Sequence, residues 1–369
     1  MRVLQVVDGV GWSGTKEQVY LTTRELAKRG VEVGIALAFQ YQKMVEKLKP
    51  YPVKVHYFEH HRGSKSRFFP ANWWRLKRII EEFDYDVVVG NSAHAIDFIR
   101  FTLPFLKKKP KLVFVRRNRG VSSPFSKWFK YSVADRIVVV SKKVYDQLVE
   151  ADFFPEKLVV IESGVDLSRF KPYRHLQREL RKKLGIPTEG KVFVNVANWI
   201  LHHKRQDLLL RAFARVAKRH PDAYLLLVGI DTDGPEARRM IERLGLKGRV
   251  WGLGFREDVP DVLNAADYFA FSSDFEGIAG ALLQAMATEM VVISTAAGGI
   301  PEYLTDGVNG FLVPVGDEEA LAAAMERALR LSPQEYRRLA VRARETAQNY
   351  SIERTAEKYI KLFEELVAK

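Results

Sequence analysis

At 369 residues, 47% hydrophobic and 28% charged, with a net charge of +14, the chain has the make-up of a globular protein of about two domains. That composition excludes disorder, collagen-like repeats and a coiled coil, and the absence of cysteine excludes disulfides, thiolate metal sites and cysteine nucleophiles. No run approaches the roughly 18 apolar residues of a membrane span, and the N-terminal apolar run ends at Asp8, too soon for a signal-peptide core. The expectation is a cytoplasmic protein, either soluble or held peripherally on the inner face of the membrane.

In chain order, Val3–Asp8 predicts a buried strand and Lys16–Arg29 an amphipathic helix stopped by Gly30. Further strands are predicted at Val31–Ala38, Val53–Phe58, Val87–Asn91, Leu112–Val115, Ile137–Ser141 and Leu158–Glu162. Several are apolar throughout rather than alternating, the pattern of a parallel sheet covered by helices on both faces. Asp166–Glu189 is charged and holds Pro172 and Pro187, so it reads as a linker plus the entry to a second domain. There the predicted strands are Val192–Val196, Tyr224–Val228, Arg249–Leu253, Tyr268–Phe271, Val291–Ser294 and Phe311–Val313. Helices are predicted at Gln206–Arg219, Pro235–Leu244, Ala279–Thr288, Glu318–Leu331 and Pro333–Gln348, with Ile352–Ala368 closing the chain. This alternation builds doubly wound α/β sheets, two similar domains in series.

The charge is unevenly shared. Residues 1–170 hold 30 Lys and Arg against 18 Asp and Glu, a net of +12 out of +14, so the first half is expected to meet something anionic. Between Gln42 and Arg78 many lysines and arginines mix with Phe68, Phe69, Trp73 and Trp74, followed by Arg75, Lys77 and Arg78. Lys107-Lys-Lys-Pro-Lys111 and Arg116-Arg-Asn-Arg119 add to this surface. Cations beside amphipathic rings suit an anionic membrane surface, against the alternative of a solvated, thermophile-like surface. No nucleic-acid recognition motif is present, so nucleic acid is not an expected partner.

Two segments carry chemistry on their residues alone. Asp8-Gly-Val-Gly-Trp-Ser-Gly-Thr15 joins the first strand to the first helix, at the carboxyl end of the sheet where ligands bind. Gly11, Ser13 and Gly14 there read as an acceptor or phosphate loop, or as a plain tight turn. The spacing is not the dinucleotide fingerprint, and the second strand ends Ala38-Phe39-Gln40 with no acidic partner for a ribose. In Ser272–Thr288 a strand end leads through a small-residue loop with Glu276 and Gly277 into a helix bearing Gln284. Amides at that helix start would face an anion, Glu276 would accept hydrogen bonds from hydroxyls, and Gln284 would reach a second set of hydroxyls. A nucleotide sugar presents sugar hydroxyls, a diphosphate and ribose hydroxyls in that pattern.

The same stretch resembles the retaining GT-B glycosyltransferases of family 4, whose pattern is Glu-Gly-Phe-Gly, a short apolar run, then Glu-Ala-Met-Ala. Gly298-Gly-Ile-Pro-Glu302, Asp306-Gly-Val-Asn-Gly-Phe-Leu-Val313 and Ser163-Gly-Val-Asp166 with Phe170 and Pro172 resemble further family signatures, in the family's order. So do Lys204-Arg-Gln-Asp-Leu-Leu-Leu-Arg-Ala-Phe213, as a lysine-led helix start, Gly252-Leu-Gly254 and Asp261-Val-Leu-Asn-Ala-Ala-Asp267. The resemblance implies two Rossmann-like doubly wound domains facing across a cleft: residues 1–170 on the acceptor side, with the helix of 350–369 packing back on them, and 171–349 binding the nucleotide-sugar donor. It implies Glu276 on the donor sugar, the Gly277, Ile278, Ala279 and Gly280 amides on sugar and diphosphate, and Lys204 neutralising the leaving group. Asn198, Gly254 and Gln284 are further donor-side positions. The chain departs from the pattern in having Gln284 for the second glutamate, Ile278-Ala279 for Phe-Gly, and Trp199 or Asn198 where the family has an arginine.

In the first half, Val87-Val-Val-Gly-Asn-Ser-Ala-His94 fills the place of the family's histidine segment, with Asn91 on the family histidine by direct counting. His94 would then hydrogen-bond the reacting sugar or acceptor, or serve a structural role at a helix start. His60-His61 and His202-His203 are adjacent pairs and look peripheral. Asp231-Thr-Asp233 reads as a helix N-cap rather than a metal site. The implied enzyme is a glycosyltransferase with no metal and no cofactor, its donor a nucleotide sugar and its acceptor a glycan or glycolipid, an anionic lipid-linked or lipopolysaccharide-type saccharide. The alternatives are a GT-B nucleotide-sugar 2-epimerase and a non-catalytic nucleotide- or anion-binding protein.

Overall fold

The structure, a computed structural model, describes residues 1–117 and 123–369; Asn118 and Arg119 of the basic run lie outside the described residues. The chain divides into two compact units, Met1–Gly164 with Ile352–Lys369, and Val165–Ser351. All thirteen predicted strands are present, with ends moved by a residue or two.

In the first unit the strands are β1 (Arg2–Val6), β2 (Glu32–Ala38), β3 (Val53–Glu59), β4 (Val87–Gly90), β5 (Lys111–Arg116), β6 (Arg136–Val139) and β7 (Leu158–Val160). They pair in parallel in the order β3-β2-β1-β4-β5-β6-β7, with Val3 of β1 opposite Val33 on one side and Val87 on the other. Helices at Gly14–Lys28, Gln42–Leu48, Pro70–Glu82, Ala93–Thr102, Pro124–Tyr131 and Lys142–Glu150 join them. Four of these six start on a serine cap, at Ser13, Ser92, Ser123 and Ser141, whose hydroxyl takes an otherwise unbonded amide of the first turn.

The closing helix Ile352–Val367 belongs to this unit. Ile352, Ala356, Tyr359, Phe363 and Leu366 recur at three- and four-residue spacing, so one stripe is apolar. Tyr359, Leu362, Phe363 and Leu366 join Val3, Val33, Val87 and Val113 in one core. The approach is close: a Cβ on Gly164 would lie 2.5 Å from the Ile352 Cα, and Thr355 Oγ1 donates to the Glu162 carbonyl at 2.9 Å.

The second unit holds β8 (Lys191–Val196), β9 (Ala223–Val228), β10 (Val250–Gly252), β11 (Tyr268–Phe271), β12 (Val291–Thr295) and β13 (Phe311–Val313), parallel in the order β10-β9-β8-β11-β12-β13. The stretch expected to be a linker plus the entry to this domain is folded onto the unit throughout. Phe170, Leu180 and Ile186 are buried among its charges, and a helix, Gln177–Leu184, carries Arg181. That guanidinium is itself buried, donating to the Ala265 carbonyl at 2.7 Å and to Asp267 at 2.8 Å. No helix among the described residues is long and apolar enough to cross a membrane.

Candidate active site

Each sheet reverses its strand order once, between β1 and β4 in the first unit and between β8 and β11 in the second. At such a switch point the loops leaving the two central strands diverge and open a crevice at the strands' carboxyl ends, where ligands bind. Both segments singled out from the sequence leave strands at these points.

In the second unit the loop after β8 carries Asn198–Lys204 and the loop after β11 carries Ser272–Ala279. The Ser272 hydroxyl donates to the carbonyls of Lys204 and Arg205 at 2.8 and 2.9 Å, and the Asp274 amide to that of His203 at 3.0 Å. His203 Nε2 lies 2.6 Å from the Phe275 carbonyl and 4.0 Å from Glu276 Oε1. The histidine pair dismissed as peripheral therefore contributes one member to the site. Lys204 ends a one-turn helix, Leu201–Lys204, where the field of the turn favours a cation. Arg205 then takes a left-handed conformation, φ 52°, held by Asp207 and Asp274 at 3.0 and 3.2 Å. The long helix begins at Gln206, as the sequence predicts, and the lysine stands two residues before it.

This break lets the Lys204 Nζ meet Glu276 Oε1 at 2.5 Å. The Glu276 side chain is 10% exposed and that of Lys204 20%. Removing one partner from such a pair leaves an uncompensated charge and costs several kcal/mol, so a ligand that separates them must offer an anion to the lysine and hydroxyl donors to the carboxylate. The Glu276 backbone is fixed by Gly298-Gly-Ile-Pro-Glu302. The Gly299 amide donates to the Glu276 carbonyl at 3.1 Å, and a Cβ on Gly298 (φ 54°) would stand 1.7 Å from that oxygen. Only glycine fits.

The helix Gly280–Ala287 follows at once, with no side-chain cap. The Ala279 amide is already spent on the Tyr303 hydroxyl at 3.3 Å, a group that burial keeps neutral by pushing its ionisation far up. Gly280, Ala281 and Leu282 keep first-turn amides with no intrahelical partner. Gln284 stands one turn on, half-buried, its side chain making no hydrogen bond among the described residues. Gly277 and Ile278 lie in the loop between Glu276 and these amides. Asn198 and Gly254 are committed elsewhere: Asn198 Oδ1 accepts the Ile230 amide at 3.0 Å, while the Gly254 amide donates to Thr232 Oγ1 at 3.0 Å and its carbonyl accepts from Gly229 at 2.9 Å. Trp199, one of the two candidates for the family's arginine position, donates to Glu236 at 2.9 Å. The expected Asp cap is absent, because Gly234 caps the helix Pro235–Arg243 and Thr232 ties down the loop through the Leu227 and Gly229 carbonyls. No group of three or more His, Asp or Glu placed to hold a metal ion occurs among the described residues.

In the first unit the switch point gathers residues the sequence reading left out. Asp8, after β1, accepts from the Ser92 hydroxyl, has His94 Nδ1 3.4 Å from Oδ2 and Lys16 Nζ 3.9 Å from Oδ1. Burial alone would raise its pKa, but His94, Lys16 and Ser92 outweigh it and hold the carboxyl at about 2. Lys16 also donates to the Asp8 carbonyl, and burial pulls it below the ordinary lysine range. Glu59, at the end of β3 and 1% exposed, accepts the Gly9 amide at 2.9 Å and faces His61 Nδ1 at 2.8 Å. Ser13 caps the helix that opens at Gly14, and the Gly11 carbonyl accepts from the Tyr41 hydroxyl. Asn91 is buried and donates to Gln5 Oε1 at 2.6 Å, a tie between β1 and β4, whereas the His94 side chain stays 40% exposed. The spacing of Asp8 and Ser92 from the ends of β1 and β4 was the signal available for this cluster.

Two parallel, doubly wound sheets, each with polar chemistry at its own switch point, define the GT-B class of two Rossmann-like domains. Residues 177–346 match the family model described as glycosyl transferases group 1, and residues 12–169 the model described as glycosyltransferase family 4. The chain is 32% identical over 247 residues to the D-inositol 3-phosphate glycosyltransferase of Saccharomonospora viridis, covering 64% of this chain and 56% of that one. It is 31% identical over 147 residues to the lipopolysaccharide core biosynthesis glycosyltransferase LpsE of Rhizobium meliloti, covering 40% and 42%. Each match spans about half the length of the relative. Among solved structures, Anabaena Alr3699/HepE in complex with UDP and glucose superposes with a TM-score of 0.85 at 22% identity, covering 99% of this chain and 100% of that one. The chain belongs to the group 1, family 4 GT-B glycosyltransferases, a retaining family, and is an enzyme that uses a nucleotide-sugar donor.

Proposed function

We propose that the second unit binds the donor on Lys204, Glu276, the Gly277–Gly280 segment and Gln284, and that the Asp8–His94 site of the first unit handles the acceptor. In this reading Lys204 leaves Glu276 to neutralise the diphosphate, and the free amides of Gly280, Ala281 and Leu282 share that charge. The charge that develops on the leaving nucleoside diphosphate then meets donors already in place. Glu276, released from its lysine, accepts from the sugar hydroxyls, and Gln284 takes ribose hydroxyls. His94 reaches the reacting groups, while Gly11, Ser13 and Gly14 form a phosphate or acceptor loop. The sugar is transferred with retention of configuration, as in the family.

For the acceptor we favour an anionic lipid-linked or lipopolysaccharide-type saccharide, met by a protein working peripherally on the inner face of the membrane. The +12 charge of residues 1–170 supports this reading, as does similarity to an enzyme named for lipopolysaccharide core synthesis.

The observation that carries the proposal is the buried 2.5 Å Lys204–Glu276 pair at the sheet's switch point. Thermal shifts with nucleoside diphosphates and their sugars test it first: ligand at 100 Kd stabilises by about 2.7 kcal/mol. Glu276→Ala is expected to cut sugar transfer at least about a hundredfold while bare diphosphate binding holds or tightens, because Lys204 loses its competing partner. Equal loss of both sinks the assignment of Glu276 to the sugar. Failure to bind any nucleoside diphosphate sinks the donor site.

A further inference from the structure

The first unit turns a strip of aromatic rings outward, and it shares Phe68 with the surface that the sequence marks out. On Pro70–Glu82 two of the three cations are paired with carboxylates, Lys77 with Glu81 at 2.6 Å and Arg78 with Glu82 at 3.3 Å, while Arg75 donates to the neutral Asn72 amide oxygen at 3.0 Å and keeps its charge. The strip runs instead through Phe68, Phe101, Phe129 and Phe125, with successive ring centroids 6.0, 5.7 and 5.9 Å apart. Its outer end is the helix Pro124–Tyr131, which buries only Tyr131. There Phe125 is 72% exposed and Trp128 58%, and at the other end Phe68 is 55% exposed. Phe101 and Phe129 between these ends are half-buried, and exposed rings grouped along such a strip mark an interaction site rather than the ordinary scatter of surface apolar residues.

Cations are interleaved with the rings. Arg67 lies 4.9 Å from the Phe68 ring centre and Arg100 4.6 Å from that of Phe129. Arg100 and Lys127 donate to the neutral carbonyls of Phe129 and Asp152, so both keep their charge. Arg67 and Lys130 share Asp97, at 3.5 and 3.0 Å, leaving one net positive charge between them. A second copy of the chain docked symmetrically on the strip would bring these cations against their own equivalents, which is repulsive. An anionic interface complements them, and rings with cationic rims suit the boundary between headgroups and acyl chains.

We propose that this strip, led by Phe125 and Trp128, is where the first unit enters the surface layer of an anionic bilayer. The proposal deepens the lipid-linked acceptor reading and rests on it for its purpose alone: vesicle binding is measured with no acceptor and no donor, so either can fail without the other.

The test is cosedimentation of the full chain with phosphatidylglycerol vesicles and with phosphatidylcholine vesicles. Binding is expected to the anionic vesicles and to weaken as salt rises. Phe125→Ser with Trp128→Ser should reduce the bound fraction at least about tenfold, whereas Arg75→Ser, Lys77→Ser and Arg78→Ser together should change it by no more than about threefold. Hydrogen exchange across β1–β5 should stay unchanged in both variants, which shows that their first unit is folded. Vesicles with brominated acyl chains should quench tryptophan emission in the natural chain and much less in Trp128→Phe. Equal binding to both vesicle types, vesicle binding unaffected by the Phe125/Trp128 pair of changes, or no vesicle binding at all would overturn the proposal. So would a dimer in light scattering that the same pair disperses.

Discussion

At the switch point of the second unit Glu276 has one strong cationic partner, Lys204 at 2.5 Å, whereas at that of the first unit Asp8 is held by Ser92, His94 and Lys16 together. The neighbouring carboxylate of the first unit, Glu59, is likewise committed twice, to the Gly9 amide and to His61. A carboxylate with a single partner can exchange that partner for ligand, since one incoming molecule carrying both an anion and hydroxyls satisfies both halves. A carboxylate with several partners is scaffold: it orients what surrounds it, and the side chain it leaves accessible is His94. One fold thus builds an exchangeable pair at one crevice and a fixed network at the other.

The hardest test of that contrast removes the support of the network. Phe363 is fully buried among Val3, Val33 and Val87, so Phe363→Ala should cost about 3–5 kcal/mol. Hydrogen exchange should quicken across β1–β5 while the second unit still binds nucleoside diphosphates; loosening confined to the second unit would reject it. Next, Lys204→Ala should lower transfer by about 10²–10³ and weaken bare diphosphate binding as well, the opposite of Glu276→Ala on the second count. Unchanged diphosphate affinity would mean that the pair does not exchange.

Asp8 gives the third test. Its carboxyl sits at about 2 against an ordinary 3.8. Because the folded pKa is the lower one, the stabilisation is fully present above about pH 4 and fades as pH falls towards 2; at 1.36 kcal/mol per unit it is about 2 kcal/mol. Asp8→Asn should therefore lower the denaturation midpoint at neutral pH, with the two proteins converging in acid. A gap that stays constant with pH would point to packing rather than charge.

The strands were legible because each is apolar on both faces, a pattern that only a covered parallel sheet explains. The donor segment was legible because its parts, Glu276, the small loop and the helix start, lie within nine residues. The network around Asp8 was not, since Glu59, Ser92 and His94 come from 51 to 86 residues away and meet only where β1, β3 and β4 end together. Lys204 was legible as a lysine just before the helix at Gln206; the left-handed turn at Arg205 was not, since it depends on Asp274, a residue brought in from β11's loop. Phe170, Leu180 and Ile186 lie among many charges, which is why Asp166–Glu189 read as a linker plus the domain entry rather than as folded throughout.

The smallest expected effect sharpens the contrast at its exchangeable end. Gln284 stands one helical turn after Gly280 with an amide that bonds nothing among the described residues. Unlike Asp8 it supports no neighbour, so Gln284→Ala leaves no buried group orphaned and should leave the melting temperature of the unliganded protein within experimental scatter. If the amide takes ribose hydroxyls, the loss is that of an ordinary hydrogen bond, about 0.5–1.5 kcal/mol, or roughly two- to twelvefold in Kd. The weakening should be equal for a bare nucleoside diphosphate and for its sugar, because both carry the ribose and only one carries the sugar that Glu276 serves. Isothermal titration with the two ligands separates these contributions. A loss seen only with the sugar-bearing ligand would move Gln284 to the sugar side of the site, and a fall in the unliganded melting temperature would make it scaffold after all.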